Sequence, residues 1–526
     1  MAKRPAKKPE QEKTPEQIYI YKGLKKIRSK KPGKYLDANL SGCMADYVIQ
    51  QIPKEYDPWE NNDLSEDDVA DDIVLNCGRY IRYCESGWMG WNAQDGCWKG
   101  EEYAESMVQW IVRHFGRLLA ENATEERYEE LRFARGIRNS SGINAVMAIL
   151  KRDKRIAVTR DSFDTDPAVR NCLGDLHNFK TGEVRPCEPE DYITKSDRYK
   201  PAEVEDEDKM PDITPEFKKF IMQVTSKDGV ERPDLALWLL FYFGYSLTGE
   251  TGASFFVNFH GGGQNGKSVL LKLMMAIMGD YATAISQDII IENRFASQFL
   301  LSNMHGIRMG VLADAGEGQL NMKLIKELTT GEPTNVPMKF KKDSTLYPVC
   351  KLAVGSNHRL SLKNTGMDAK RRVRMIPFDY TVPDEEIVPD LEKKLLKEAP
   401  QILRLLIYFA KQYYKLGGGA RAFPPCEIID EASKEYLESQ DLVGRWVKEK
   451  TEPMQGNEED LAEMYKNFQA WCANEGIKKV MGKNKFGEHL TVHIKDKRHK
   501  NNGTAYLNIK LIGLSPPLGE YKSGSG

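Results

Sequence analysis

A chain of 526 residues is longer than a single hydrophobic core usually supports, so roughly two to four domains are expected. Hydrophobic residues at 40% and charged residues at 29% match a soluble globular protein, and no run of about eighteen apolar residues occurs. Neither a membrane span nor a signal peptide is therefore expected. A net charge of −1 excludes a protein that coats nucleic acid over its whole surface, yet the charge is unevenly spread. Residues 1–34 hold twelve Lys or Arg against three Glu, 54–72 are almost purely acidic, and 476–500 are basic again. The nine cysteines are scattered without C-x-x-C pairs and read as thiols of a reducing cytoplasm.

In chain order, residues 1–34 with Pro5, Pro9 and Pro15 form a basic flexible tail. Residues 35–205 read as an α+β domain. Within it, 77–98 alternate apolar and polar residues between glycine turns, as strands joined by hairpins do. Trp88, Trp91 and Trp98 at strand spacing are expected in its core rather than stacked on bases. A helix over 101–121 follows, with Met107, Ile111, Phe115, Leu118 and Leu119 on one face. Residues 127–155 continue the helical pattern, with a serine cap before the apolar stripe of SSGINAVMAILKR. Residues 170–195 suggest two short strands around the turn Lys180-Thr181-Gly182, and 203–212 an acidic, proline-bounded linker. Linker and helical collar together occupy 206–250, ending in the all-round apolar run LALWLLFYFGYSL.

The most informative stretch is GGGQNGKS, residues 261–268, between an apolar strand at 253–259 and a helix at 269–278. It fits the phosphate-loop pattern G-x-x-x-x-G-K-[ST] with Gly261, Gly266, Lys267 and Ser268 in register and Gly262, Gly263, Gln264 and Asn265 between them. Glycines let backbone N–H groups close on a phosphate, Lys267 brings a point charge, and Ser268 offers a hydroxyl to Mg²⁺. The expected cofactors are ATP and Mg²⁺. Residues 307–314, IRMGVLAD, then form a buried strand ending on Asp314, the form of a Walker B element that holds the metal, with Glu317 as candidate for orienting water. A short helix at 322–328, a basic hairpin or loop at 337–342 and an apolar strand at 349–354 follow, the strand leading to Asn357, which could meet the γ-phosphate. Arg371 and Arg372 precede one more strand, as surface ion pairs or as fingers for a neighbour's phosphate.

Taken in order, the GGGQNGKS loop, VLADAGEG, KELTTGE, the strand ending GSNH and AKRRVRMIPF resemble the superfamily 3 helicases, in particular the poxvirus and phage or plasmid-type primase-helicases. Upstream, WMGWNAQDGCW, NCLGDLHNFKTGEVRPCEPEDYITK and FGYSLTGE resemble the domain that precedes the helicase in those proteins. Downstream, DEASKEYLESQDLVGRWVKE, MYKNFQAWCANEGI and KNKFGEHL resemble their winged-helix tail. The likeness covers roughly residues 75–515. It implies an α/β multidomain chain with an AAA+-like P-loop ATPase core over 251–415, a winged-helix-like domain over 425–515 and a flexible tail at 516–526.

By that resemblance the chain is an ATP hydrolase and DNA helicase that assembles into a ring, usually a hexamer, with ATP between subunits. Lys267 and Ser268 would bind ATP and Mg²⁺, Asp314 and Glu317 would hold metal and water, and Asn357 would sense the γ-phosphate. Arg371 or Arg372 would reach the next subunit's nucleotide, and Lys326, Lys339, Lys341 and Lys342 would contact DNA. Translocation is expected 3′ to 5′ on single-stranded DNA at forks, in the cytoplasm, that of a bacterial host if phage or plasmid encoded. Two departures stand out: Thr330-Gly331-Glu332 replaces a frequent Gly-Gly-Asp, and Val336-Pro337 stands where an arginine is common. The first 70 residues are too short and polar for a priming domain, so a primase or polymerase is expected on a separate chain. The alternative is an origin-binding initiator or loader that uses ATP mainly for assembly.

Overall fold

The computed structural model describes residues 42–512 apart from 61–62, 124–127, 293–300, 302, 337–343, 359, 363–366, 478–479 and 501–502. The basic tail at 1–34, Lys339, Lys341, Lys342 and the tail at 516–526 lie outside the described residues. The chain divides into two compact units, Met1–Phe163 with Glu188–Thr194, and Asp164–Cys187 with Lys195–Gly526. Among the described residues no helix is long and apolar enough to cross a membrane.

In the first unit, helix α1 (Glu66–Cys77) starts at Ser65, whose hydroxyl accepts the Asp68 N–H at 3.1 Å, and three acidic residues in its first turn suit the positive end of the helix dipole. Cys77 closes this helix, so the strands begin at Ile81 rather than at 77. They are β1 (Ile81–Cys84), β2 (Gly87–Asn92) and β3 (Cys97–Gly100), an antiparallel meander. Trp88, Trp91 and Trp98 are only 3%, 3% and 1% exposed, which makes them core residues and removes them as base-stacking candidates. The Trp98 indole N–H donates to Pro189 O at 2.9 Å, satisfying its one polar group.

Helix α2 (Glu101–Asn122) buries Met107, Ile111, Phe115 and Leu119, leaving Leu118 at the edge of the stripe. Helices α3 (Tyr128–Ile137) and α4 (Ser140–Leu150) follow in the same unit. The cap of α4 is Asn139, not a serine: its Oδ1 accepts the Gly142 N–H at 2.9 Å and the Ser141 hydroxyl at 2.7 Å. Asn139 is the extended residue just outside the helix, where a short side chain reaches the third N–H, while Ser140 and Ser141 already lie within it.

The second unit opens with three antiparallel strands, β4 (Val169–Cys172), β5 (Asp175–Asn178) and β6 (Val184–Pro186). Two hairpins occur where one was expected. The additional turn is Leu173-Gly174, both at positive φ (52° and 92°), the geometry that joins tightly twisted strands. These strands group with the second unit through buried ties: Arg170 forms a two-pronged ion pair with Asp197 at 2.8 and 2.6 Å and donates to Leu247 O at 2.9 Å, and the Asn171 N–H donates to the Tyr281 hydroxyl at 3.0 Å.

Helices α5 (Pro215–Thr225) and α6 (Pro233–Leu247) each start on proline, whose missing N–H costs nothing in the first turn. The apolar α6 is buried on every side from Leu235 to Leu247 except at Leu237. At its carboxyl end, Arg308 and Lys351 join Arg170, with Lys351 donating to Thr248 O and, at 3.1 Å, to Glu250 O.

The centre is a five-stranded parallel sheet built from β7 (Phe256–His260), β8 (Ala282–Ala284), β9 (Met309–Ala315), β12 (Lys351–Ser356) and β13 (Val373–Pro377), in the spatial order β13-β7-β12-β9-β8. Its inner strands are buried on both faces, as parallel strands covered by helices must be. Val257, Phe259 and Ile376 meet the α5 and α6 side, whereas Phe256, Val354 and Met375 meet the opposite side. In register, His260 pairs with Ser356 and Ser356 with Ala315, so the carboxyl ends of β7, β12 and β9 form one edge. Helix α7 (Lys267–Met278) follows β7, α8 (Met322–Thr330) follows β9, and the short antiparallel pair β10 (Thr334–Val336) and β11 (Ser344–Leu346) precedes β12. Helix α9 (Met367–Arg372) leads into β13, and α10 (Leu391–Lys397) and α11 (Ala399–Lys415) come after it.

The last part has a core of its own, with Trp446, Phe468, Phe486, Leu490 and Tyr506 at its centre. It is built by α13 (Leu442–Lys450), β14 (Thr451–Asp460), α14 (Leu461–Asn474), α15 (Lys483–His493), β15 (Lys497–Lys500) and β16 (Gly503–Leu511), the strands ordered β14-β16-β15, whereas α12 (Glu427–Gln440) just before it buries Tyr436 and Leu437 with Met375 and Val354 of the central sheet.

Candidate functional site

The carboxyl edge of an open parallel sheet is where ligands bind, in the crevice where strand order reverses. Here that point is β7, with β12 on one side and β13 on the other, and the loop 261–266 leaves it. Glycine is required at two places in the loop. A Cβ on Gly261 would lie 2.3 Å from Phe378 O, and Gly266 combines φ of +77° with a Cβ position 2.4 Å from Val224 Cγ1. Gly262 and Gly263 have nothing within 4 Å of a Cβ and line open space. The residues after β13 hold the loop from outside. Asn265 Nδ2 donates to Phe378 O at 3.3 Å, the Val382 N–H donates to Gln264 O at 2.7 Å, and Gln264 Nε2 donates to Asp384 Oδ1 at 3.0 Å.

Lys267, the first residue of α7, is 4% exposed. Its amine donates to Gly261 O at 2.7 Å, Gly262 O at 3.1 Å, Asn265 Oδ1 at 3.0 Å and Asn357 Oδ1 at 3.2 Å. Burial pushes its pKa down from 10.5 to about 8, with the nearby Asp314 opposing the shift. The helix start has no side-chain cap, since Gly266 occupies that position, and its own first turn holds no acidic residue, so the positive end of α7 faces the loop. Ser268 stands exposed in the same turn.

Asn357, just past β12, completes the group: its Nδ2 donates to Asp314 Oδ1 at 3.4 Å. Asp314 is exposed near the end of β9, the strand beside β12. The structure therefore brings Lys267, Asn357 and Asp314 together from three separate elements. Glu317 is exposed three residues beyond Asp314 and is not part of this chain of contacts.

The arginines lie elsewhere. Because β13 runs parallel to β7 with Val373 opposite Phe256, Arg371 and Arg372 sit at the amino end of the sheet. Four strand steps, about 13 Å, separate that end from His260 and the loop. Arg372 is engaged within the chain, donating to Ser254 O at 3.3 Å and Thr329 Oγ1 at 3.4 Å. Arg374 folds back to donate to Lys370 O and Arg371 O, each at 3.3 Å, and lies 5.2 Å over the Phe255 ring. Lys370 and Arg371 remain exposed. Lys326 is exposed on α8. The tie from the loop to Asp384 escaped sequence reading because 120 residues separate Gln264 from Asp384 and no local pattern marks the partnership.

Three family models match in chain order: "D5 N terminal like" over residues 73–226, "Family of unknown function (DUF5906)" over 259–372, and "Poxvirus D5 protein-like" over 438–512. Among characterised sequences, "Putative primase C962R" of African swine fever virus (isolate Pig/Kenya/KEN-50/1950) is 22% identical over 279 residues, covering 48% of this chain and 28% of that protein. The counterpart from isolate Tick/Malawi/Lil 20-1/1983 is 21% identical over 270 residues, covering 47% and 27%. The chain thus spans less than a third of the length of these relatives. Among solved structures, the A form apo structure of the NrS-1 C terminal region is 12% identical with a TM-score of 0.43, covering 75% of this chain and 80% of that one.

Proposed function

We propose, for a chain that belongs to the phage and poxvirus-type primase-helicase family, an ATP-driven, ring-forming DNA helicase whose nucleotide sites are shared between neighbouring copies. The observation that carries this reading is the contact chain Lys267–Asn357–Asp314 at the carboxyl edge of the parallel sheet, beside an uncapped helix start. A cation, an amide and a carboxylate meet where a phosphate chain and its metal would be held.

The residues present fit a nucleoside triphosphate with a divalent cation. Gly262 and Gly263 leave open the space that side chains would fill, and the Lys267 amine, held at the carbonyls of Gly261 and Gly262, would supply the cation to the phosphates. In an AAA+-like core, Lys267 and the first N–H groups of α7 bind the phosphates, and Ser268 and Asp314 hold Mg²⁺. Bound Mg²⁺ neutralises charge on the transferring phosphoryl group. Asn357 would orient the γ-phosphate and Glu317 the attacking water. Arg371 is the finger offered to the next copy, since Arg372 is spent on Ser254 and Thr329. Lys326, together with Lys339, Lys341 and Lys342 between β10 and β11, supplies phosphate contacts to single-stranded DNA, with 3′ to 5′ movement and hexameric assembly.

The initiator alternative would place duplex recognition in the winged-helix-like part. Its face is less basic than its sequence suggests, because Arg498 and Lys500 pair with Glu458 at 2.8 and 2.6 Å. ATP hydrolysis and fork unwinding, measured with and without single-stranded DNA beside Lys267→Ala, test the proposal. DNA-stimulated hydrolysis with strand separation, lost in the variant, supports it. DNA binding without unwinding would favour the initiator, and primer synthesis without unwinding would replace both.

A further inference from the structure

Exposed cations precede strand β13 and exposed carboxylates follow it, at opposite ends of the central sheet. At the amino end, Arg372 and Arg374 are used internally, the first on Ser254 and Thr329, the second on the carbonyls of Lys370 and Arg371. They act as struts that fix the end of α9 and leave Lys370 and Arg371 facing outward. At the carboxyl end, the turn Asp384–Glu386 is exposed. It is fastened to the phosphate loop by Gln264, which donates to Asp384 at 3.0 Å and accepts from the Val382 N–H at 2.7 Å. Cations of one copy set against carboxylates of the next make a head-to-tail contact, which gives a ring where the rotation between copies closes.

We propose that the turn Asp384–Glu386 of one copy is the docking point for Lys370 and Arg371 of the next. The proposal rests on the ring reading above and adds a coupling to it. Gln264 lies in the loop that would hold phosphates, so the turn moves with the loop's occupancy and reports it to the neighbour. A positive pair set against this turn also brings Arg371 toward the partner's nucleotide, which its own loop, about 13 Å of strand away, does not allow.

Glu385 and Lys370 serve as the test pair, since neither belongs to the nucleotide-binding group. The full chain is weighed by mass photometry across protein concentration with a non-hydrolysable ATP analogue, for wild type, Glu385→Lys, Lys370→Glu and the two combined, with thermal unfolding as a folding control. Each single reversal is expected to raise the concentration for half-assembly about tenfold without changing the unfolding temperature, and the combination to restore it. Single variants that assemble like the wild type, or a combination that restores nothing, overturn the docking point while leaving the ring intact. A wild type that stays monomeric with the analogue overturns the ring reading and this proposal together.

Discussion

Asn357 Oδ1 accepts a hydrogen bond from the Lys267 amine at 3.2 Å while the same amide donates to Asp314 at 3.4 Å. The carboxamide accepts from a cation and donates to a carboxylate at once, which neither a carboxylate nor an ammonium in its place could do. Asn357→Ala should therefore lower kcat for ATP hydrolysis by about 10²-fold with a small change in KM. Asn357→Asp should fare no better, since a second carboxylate would face Asp314. Steady-state kinetics of both variants check this.

Proton linkage at Lys267 gives two trends of opposite sign. Its pKa is depressed from 10.5 to about 8, so above pH 8 the free protein has lost a proton that an unfolded chain keeps up to 10.5. Stability of the free protein should rise with pH across that window as the penalty for a buried charge is relieved. A bound triphosphate favours the charged amine, so ATP affinity should fall as pH passes 8, with proton uptake on binding. Titration calorimetry in two buffers of different ionisation enthalpy reads the uptake, and Lys267→Met should abolish it.

Glycines of the loop should separate by role. Gly266→Ala forces an alanine to φ near +77° and against Val224, and should cost roughly 1–3 kcal/mol of stability. Gly263→Ala meets nothing within 4 Å and should stay within about 0.5 kcal/mol of wild type. Thermal unfolding distinguishes the two.

Arg371→Ala should leave the unfolding temperature unchanged and reduce hydrolysis by about 10³-fold. Arg372→Ala should instead lower the unfolding temperature, because it strips partners from Ser254 O and Thr329 Oγ1. Mixing Arg371→Ala with Lys267→Ala should recover part of the activity, since some shared sites then combine an intact loop with an intact finger.

Asp197→Ala should destabilise the second unit by about 3–5 kcal/mol. It leaves Arg170 buried and unpaired, beside Arg308 and near Lys351. Denaturant unfolding measures the loss.

Much of this molecule was legible in sequence because its signals are local. The strand, glycine loop and helix around Lys267 follow from consecutive residues, and so do the tryptophan strands, α2 and the buried helix α6. Asp314 and Asn357 stood out because each follows an apolar run that reads as a buried strand, Asp314 in the form of a Walker B element. The cap at Asn139 and the turn at Leu173-Gly174 were missed although local, since each rests on one residue's backbone angles rather than on a pattern.

Tertiary structure alone decided what depends on distant partners. It buried Lys267 and lowered its pKa, and it linked Gln264 to Asp384. It also spent Arg372 and Arg374 inside the chain while leaving Lys370 and Arg371 outward. Adjacent arginines look alike in a sequence. Only packing against Ser254 and Thr329 makes Arg372 a strut while Arg371 beside it stays exposed.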